Sequence, residues 1–428
     1  MRPEVVVRFL ACLLTVALTS ALPQTSTRTT LRFGHAWDGT RVLDDVLIVV
    51  EGDKIVSVDR TPKDVPAGAV DLRRYTAIPG LIDLHTHITY YWDGKPGTRP
   101  LGQRRRPAVT VFLAQENARR TLETGVTTIR DLGASGDSDY AMRDLVSMGA
   151  MKGPRMFVAG QGLSAGRGWT PDPPALAKMA EDRIKAGSDW VKVYASRGSF
   201  DSVDTTQTLT FDELKAIVDA SHALGHKVAI HSYGASGVKD AVRAGADSVE
   251  HGIEIDDETL AEMVRRGTVW VPTIDHNRYY VDAKDEYGFK PEAIPPLNDY
   301  IAKNLDSTRR AFKAGVKLGM GSDAVYSMFG QNTGELEWFV KAGMTPAQAL
   351  ATATTTAADL LGKGDTLGRL APGFTADIVA IEGTPLDDIR DVITGVRWVM
   401  KDGVVAVAVA TAPMRAHASG LVTTVASR

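Results

Sequence analysis

The chain has 428 residues and a single cysteine, Cys12. No disulfide can close within it, and any metal site beyond residue 12 must use histidine, carboxylate or something less usual. A basic excess is lacking too, since 49 Lys and Arg face 52 Asp and Glu for a net charge of −3. That balance argues against a dedicated nucleic-acid binder. The one notable basic run, Arg104-Arg105-Arg106, reads as a solvated loop. No apolar run reaches the roughly 18 residues that a spanning helix wants. The stretch that comes nearest runs from Phe9 to Leu18, after arginines at 2 and 8 and before small residues with Thr19 and Ala21 spaced for cleavage. This is the pattern of a signal peptide over residues 1–21. Cys12 lies inside it, so the mature protein is expected to be exported, periplasmic or secreted, with no cysteine and no membrane contact once the signal is removed. Serine catalysis is set aside: Ser236 and Lys239 have Ser-x-x-Lys spacing, but the companion Ser-Asp-Asn and Lys-Thr-Gly elements are missing.

What is present begins with "AIPGLIDLHTHITYY", residues 77–91, where His85 and His87 end an apolar run. A strand repeats every two residues, so both imidazoles point to one face and Thr86 to the other. Such a pair can chelate a metal, stand as a solvated polar face or hydrogen-bond within a core. A zinc-like ion takes about four or five donors, so a real site needs ligands from elsewhere in the chain.

Short β-rich pieces separated by Gly and Asp turns occur at both ends, "DVLIVVEGDKIVSVDR" near the start and "VRWVMKDGVVAVAVA" near the finish. They predict a small β-sandwich domain assembled from residues 25–79 with 362–415. Between them, over residues 80–361, apolar strands alternate with amphipathic helices. Candidate strands fall at about 80–84, 125–131, 155–160, 189–194, 227–231, 247–251, 268–274 and 316–321. One helix is signalled by a capping box, Thr210 with Glu213. Eight units of this kind make an α/β chain with a (β/α)8 TIM-type barrel, whose active site forms at the C-terminal ends of the strands. At those ends stand His85 and His87 on strand one, His231 on strand five, His251 on strand six and Asp323 on strand eight, with Lys192 inside apolar strand four. Each alone has an ordinary structural explanation. Their joint placement does not, because four of the nine histidines fall on the catalytic end of three strands.

The motifs "PGLIDLHTH", "VKVY", "AIHSYG", "SVEHG" and "GSDA", in that order, with "GRLAPGFTADIVAI" where the chain returns to the small domain, resemble the metal-dependent amidohydrolase superfamily over nearly the whole chain. The branch that looks most similar is imidazolonepropionase-like and holds Xaa-Pro and Xaa-Arg dipeptidases and ochratoxin-type amidohydrolases. The resemblance implies two divalent metal ions, zinc by preference. His85, His87 and Asp323 would hold one, His231 and His251 the other, and Lys192, carboxylated by carbon dioxide, would bridge them. It implies Asp323 as the proton shuttle, and a dipeptide or N-acyl amino acid with a free carboxylate as the small-molecule substrate. The alternative is a hydrolase or deaminase acting on a cyclic amide such as an imidazolone. Tyr233, two residues after His231, is the first candidate to hold the carboxylate, a tyrosine packed over the rim being the other reading; His276 is the second candidate. Many relatives carry a histidine in the loop after strand three that could polarise the substrate carbonyl, but "GQGLSAGRGWTPDPP" has none, which leaves carbonyl activation to the metal alone, to Arg167 or to another loop donor. Tyr90, Tyr91 and Trp92 are expected to wall an aromatic pocket or make a subunit contact, and a homo-oligomer is expected.

Overall fold

The computed structural model describes residues 27–60, 62–92, 105–165, 172–198 and 202–408. The signal peptide with Cys12, Arg104, Arg167 and residues 409–415 lie outside the described residues. No helix among the described residues is long and apolar enough to cross a membrane.

Both chain ends contribute to one seven-stranded sheet. The front supplies Arg28–Trp37, Val42–Glu51, Lys54–Arg60 and Val70–Pro79; the back supplies Ile378–Ile381, Val396–Lys401 and Val404–Ala408. The halves meet where Ile378 pairs antiparallel with Pro79. Alternation decides the faces: Leu31 and Phe33 are buried with Ile48, Ile55 and Ile378 in a core of their own, while Arg32 between them reaches out to Asp45 at 2.9 Å.

The remaining strands are parallel and follow one another in chain order. Leu81–Thr86 pairs with Val126–Asp131, and that strand with Arg155–Val158. The third strand resumes at Leu163–Ser164 to pair with Trp190–Tyr194, and pairing continues through Lys227–His231, Ser248–Glu250 and Val269–Val271. The eighth position differs from expectation. Instead of a regular strand over 316–321, the chain makes two parallel bridges, Trp270 with Leu318 and Thr86 with Ala324, plus a bond from Leu84 N to Met320 O at 2.9 Å. These bridges close the ring as a (β/α)8 barrel. The physical reason for the irregularity is close approach: a Cβ on Gly321 would lie 2.4 Å from Val271 Cγ1 and 2.9 Å from His85 Cβ. The seventh strand is also shorter than the predicted 268–274, because Thr273 turns into the left-handed region at φ 52° and the helix Ile274–Asp282 begins.

The helices shield the barrel as the sequence pattern dictates. In Phe211–Ala223 the Thr210–Glu213 capping box forms, and the helix buries Leu214, Ile217, Val218 and Ser221. That is one helical stripe, in which each fully buried aliphatic side chain contributes about 1.5–3 kcal/mol.

Candidate active site

The strand ends bring the predicted donors together. His85 Nε2 lies 3.5 Å from Asp323 Oδ1 and His87 Nε2 3.2 Å from the same oxygen. His251 Nε2 lies 3.9 Å from Asp323 Oδ2, and Lys192 Nζ 3.5 Å from His85 Nε2. The His231 ring sits 4.5 Å, centroid to centroid, from that of His251. The donor atoms of His85, His251 and Asp323 all lie within 4.8 Å of one another, close enough to hold a single ion. Two of these side chains are aimed by left-handed backbone, His251 at φ 64° and Asp323 at φ 50°. Such conformations in non-glycine residues cost of order 1–3 kcal/mol each and persist where the surroundings enforce them.

A second ring of groups orients the first. His85 Nδ1 donates to Glu250 Oε2 at 2.9 Å and His87 Nδ1 to the Gly133 carbonyl at 2.9 Å. Because both partners can only accept, each imidazole presents its Nε2 lone pair inward. Glu250 is held in turn by Arg130 Nη2 at 2.8 Å, and the Arg130 guanidinium lies 4.4 Å from the Trp190 ring centroid. Asp83 ties strand one to strand eight, accepting from His85 N at 3.1 Å and from Ser322 N at 2.9 Å. Burial pushes its carboxyl up to about 6. Sequence reasoning missed Arg130, Glu250 and Asp83. The signal was present: a charge inside an apolar barrel strand, the same feature that singled out Lys192.

The electrostatics suit a divalent cation. Burial lowers His85 and His251 well below the ordinary histidine range and brings His231 down to about 3, so these rings are neutral. His231 Nε2 is buried with no partner among the described residues. Burial would raise Asp323, but the surrounding imidazoles, His276 foremost, hold it well below the usual carboxylate range. Lys192, only 1% exposed, is brought down to about 8 by burial against the pull of Glu250 and Asp323. Neutral imidazole lone pairs with one carboxylate make a set that a divalent metal satisfies.

Above these donors opens a cavity of about 340 Å³ lined in part by His87, His231, Tyr233, His251, His276 and Asp323. Tyr233 has a place at the cavity and a place in the packing of the rim, 4.9 Å from the His251 ring and 4.8 Å from Tyr300. His276 also lines the cavity, its Nε2 3.3 Å from Asp323 Oδ2 and its Nδ1 buried without a partner among the described residues. Tyr90 stacks on His87 at 4.8 Å and lines the cavity, whereas Trp92 stacks on Tyr287 at 5.2 Å and Tyr91 meets Arg105. Tyr194, Arg197, Tyr280 and Tyr326 also line it, and sequence reasoning did not name them.

Two serine features fall away. Residues 162–166, "GLSAG", carry Gly-x-Ser-x-Gly spacing that sequence reasoning overlooked, and Ser164 lines the cavity. It lies in a strand paired with Tyr194 rather than on a strained strand-to-helix turn, and among the described residues no histidine bonds its hydroxyl. Lys239 is occupied on the surface by Glu258 at 2.6 Å. A larger cavity, about 630 Å³, lies at the opposite end of the barrel beside Lys227, Asp247 and Thr268, away from every donor above.

The amidohydrolase family model matches residues 76–407. Ochratoxinase of Aspergillus niger is 28% identical over 398 residues, covering 82% of this chain and 80% of its own. Imidazolonepropionase of Geobacillus kaustophilus is 24% identical over 441 residues, covering 89% and 91%. The solved structure of a Xaa-Pro dipeptidase with methionine bound in its active site superposes with a TM-score of 0.81 at 30% identity, covering 89% of this chain and 99% of that one. With this match spanning the barrel and its strand-end donors, the chain is a hydrolase of amide bonds and belongs to the amidohydrolase family.

Proposed function

We propose that the chain is a binuclear metal-dependent amidohydrolase that cleaves the amide bond of a dipeptide or N-acyl amino acid bearing a free carboxylate, ochratoxin-type amides included. The observation that supports this reading is that His87, His231, His251 and Asp323 line one cavity, with His85 Nε2 3.5 Å from Asp323 Oδ1 and Lys192 Nζ 3.5 Å from His85 Nε2 beside them. His85, His87 and Asp323 would hold one ion, His231 and His251 the second, and Lys192 as a carbamate would bridge them. Two bound divalent ions supply carbonyl polarisation and a water acidified toward neutral pH. The chain's own residues do the rest. Asp323, ionised and shared between the histidines, is placed to take a proton on its carboxylate and deliver it to the leaving amine. His276 steadies Asp323 Oδ2 from the far side. Tyr233 offers its hydroxyl to the substrate's carboxylate. The dipeptidase relative binds methionine, a free amino acid, in its active site, which supports a carboxylate-bearing substrate here.

A cyclic amide such as an imidazolone is the second reading, favoured by the likeness to imidazolonepropionase. The test is a library of N-acyl amino acids, dipeptides and cyclic amides, assayed with zinc and bicarbonate, alongside elemental analysis. Two metals per chain and cleavage of carboxylate-bearing amides are expected. One metal at full activity, or equal cleavage of carboxylate and carboxamide forms, would move the cyclic-amide reading ahead. Action after export, from the signal-like residues 1–21, and homo-oligomeric assembly belong to the same proposal.

A further inference from the structure

We propose that the Arg197 guanidinium is the cation that receives the substrate's carboxylate and so sets the requirement for it. This rests on reading the cavity above the strand ends as the catalytic one. Among the described residues Arg197 is the only lysine or arginine lining that cavity. Its guanidinium makes no hydrogen bond and no ion pair among the described residues, in contrast to Arg130, Arg155 and Arg278, each clamped by a carboxylate. Asp204 feels its charge, but the Asp204 carboxylate already accepts from Thr206 N at 2.8 Å.

The backbone beneath the side chain is fixed. Ala195 N donates to His231 O at 2.9 Å, Thr208 N to Ala195 O at 2.8 Å and Arg197 N to Thr206 O at 3.0 Å. Tyr233 N donates to Ser196 Oγ at 3.0 Å, and a Cβ on Gly198 would lie 2.4 Å from Tyr233 Cγ. Residues 196–198 are therefore laid across Tyr233, and only glycine at 198 permits it. This brings a cation to the residue already proposed to meet the carboxylate. The two have different chemistry. A phenol hydroxyl gives one neutral hydrogen bond. A guanidinium gives full charge and two parallel N–H donors matched to a carboxylate.

The test uses the full-length metal-loaded enzyme and a non-hydrolysable pair, N-phenylsulfonyl-phenylalanine and its carboxamide, with binding read by calorimetry. Wild type should prefer the carboxylate. Arg197→Gln should lose about 10- to 100-fold in carboxylate affinity, the range of one charge-assisted hydrogen bond, with the carboxamide unchanged. Arg197→Lys should keep part of the preference, since it keeps the charge but not the fork. With a hydrolysable N-acyl amino acid the Arg197→Gln loss should fall on KM and leave kcat near wild type. A wild type without preference, a variant that retains it, or an equal loss for both ligands would each overturn the assignment. Selective binding in a wild type that turns over no amide would instead defeat the proposed hydrolysis while leaving Arg197 in its role.

Discussion

Asp323 carries more of the site than any other side chain, because its two oxygens face His85, His87, His251 and His276 within 3.9 Å. Asp323→Asn keeps the volume and removes the charge. Turnover should fall by about 10²- to 10⁴-fold, the usual worth of a positioned acid–base group, with the fold intact by circular dichroism. Near-normal kcat with metal content preserved would assign the proton to another residue. Lys192 makes a different demand. As an ammonium it would repel two cations, and as a neutral amine it is short of anionic oxygens. Lys192→Ala should bind fewer than two metals per chain and lose activity, and a short-chain carboxylic acid added with zinc should restore part of both. A variant as active as wild type would remove the bridge from the mechanism.

At the scale of elements, the site depends on how closely strand eight approaches its neighbours. Gly321 lets the backbone lie against Val271 and His85, and two residues later Asp323 turns through φ 50° to face the histidines. Gly321→Ala inserts a methyl where Val271 Cγ1 would be 2.4 Å away. Overpacking of this kind costs about 1–3 kcal/mol. It also shifts the segment bearing Asp323, and a 1 Å misplacement of a reacting group can cost about 10²-fold in rate. Thermal unfolding and kcat should therefore fall together in this variant. A stable protein with full kcat would show that strand eight accommodates the methyl by moving away from the cavity.

For the whole molecule, Glu335 links two distant helices, its carboxylate accepting from Ile274 N at 3.0 Å and Asp275 N at 2.8 Å. Burial pushes it up from 4.5 to about 8. Between those values the folded chain holds a proton that the unfolded chain has released, so stability falls as pH rises through that window. His231 acts in the opposite sense. Brought down from 6.5 to about 3, it makes stability rise with pH up to 6.5. The slope due to Glu335 should stand clear of His231 from pH 6.5 to 8, where the melting temperature should drop. Glu335→Gln should flatten that slope even though it lowers stability overall by leaving one backbone donor poorly paired. An unchanged slope in the variant would place the titration elsewhere.

Local pattern determined a good deal of this protein. Period-two and helical alternation, turn residues and one capping box marked the alternation of strands and helices in the barrel region, because each depends on neighbours within a few positions. The strand-end rule then brought His85, His87, Lys192, His231, His251 and Asp323 to one rim, since strand direction alone places them. Tertiary structure decided what depends on partners far apart in sequence. Glu250 orients His85 across a sequence separation of 165, a pairing that no local signal specifies. Strand eight reduces to two bridges because contacts with strands one and seven, not its own propensity, set its path. Tyr233 could be read as packing or binding from sequence, and the fold packs it on Tyr300 while leaving it on the cavity wall. Arg197 looked like any loop arginine until the ring of strands closed and placed it, without a carboxylate partner among the described residues, at the edge of the cavity.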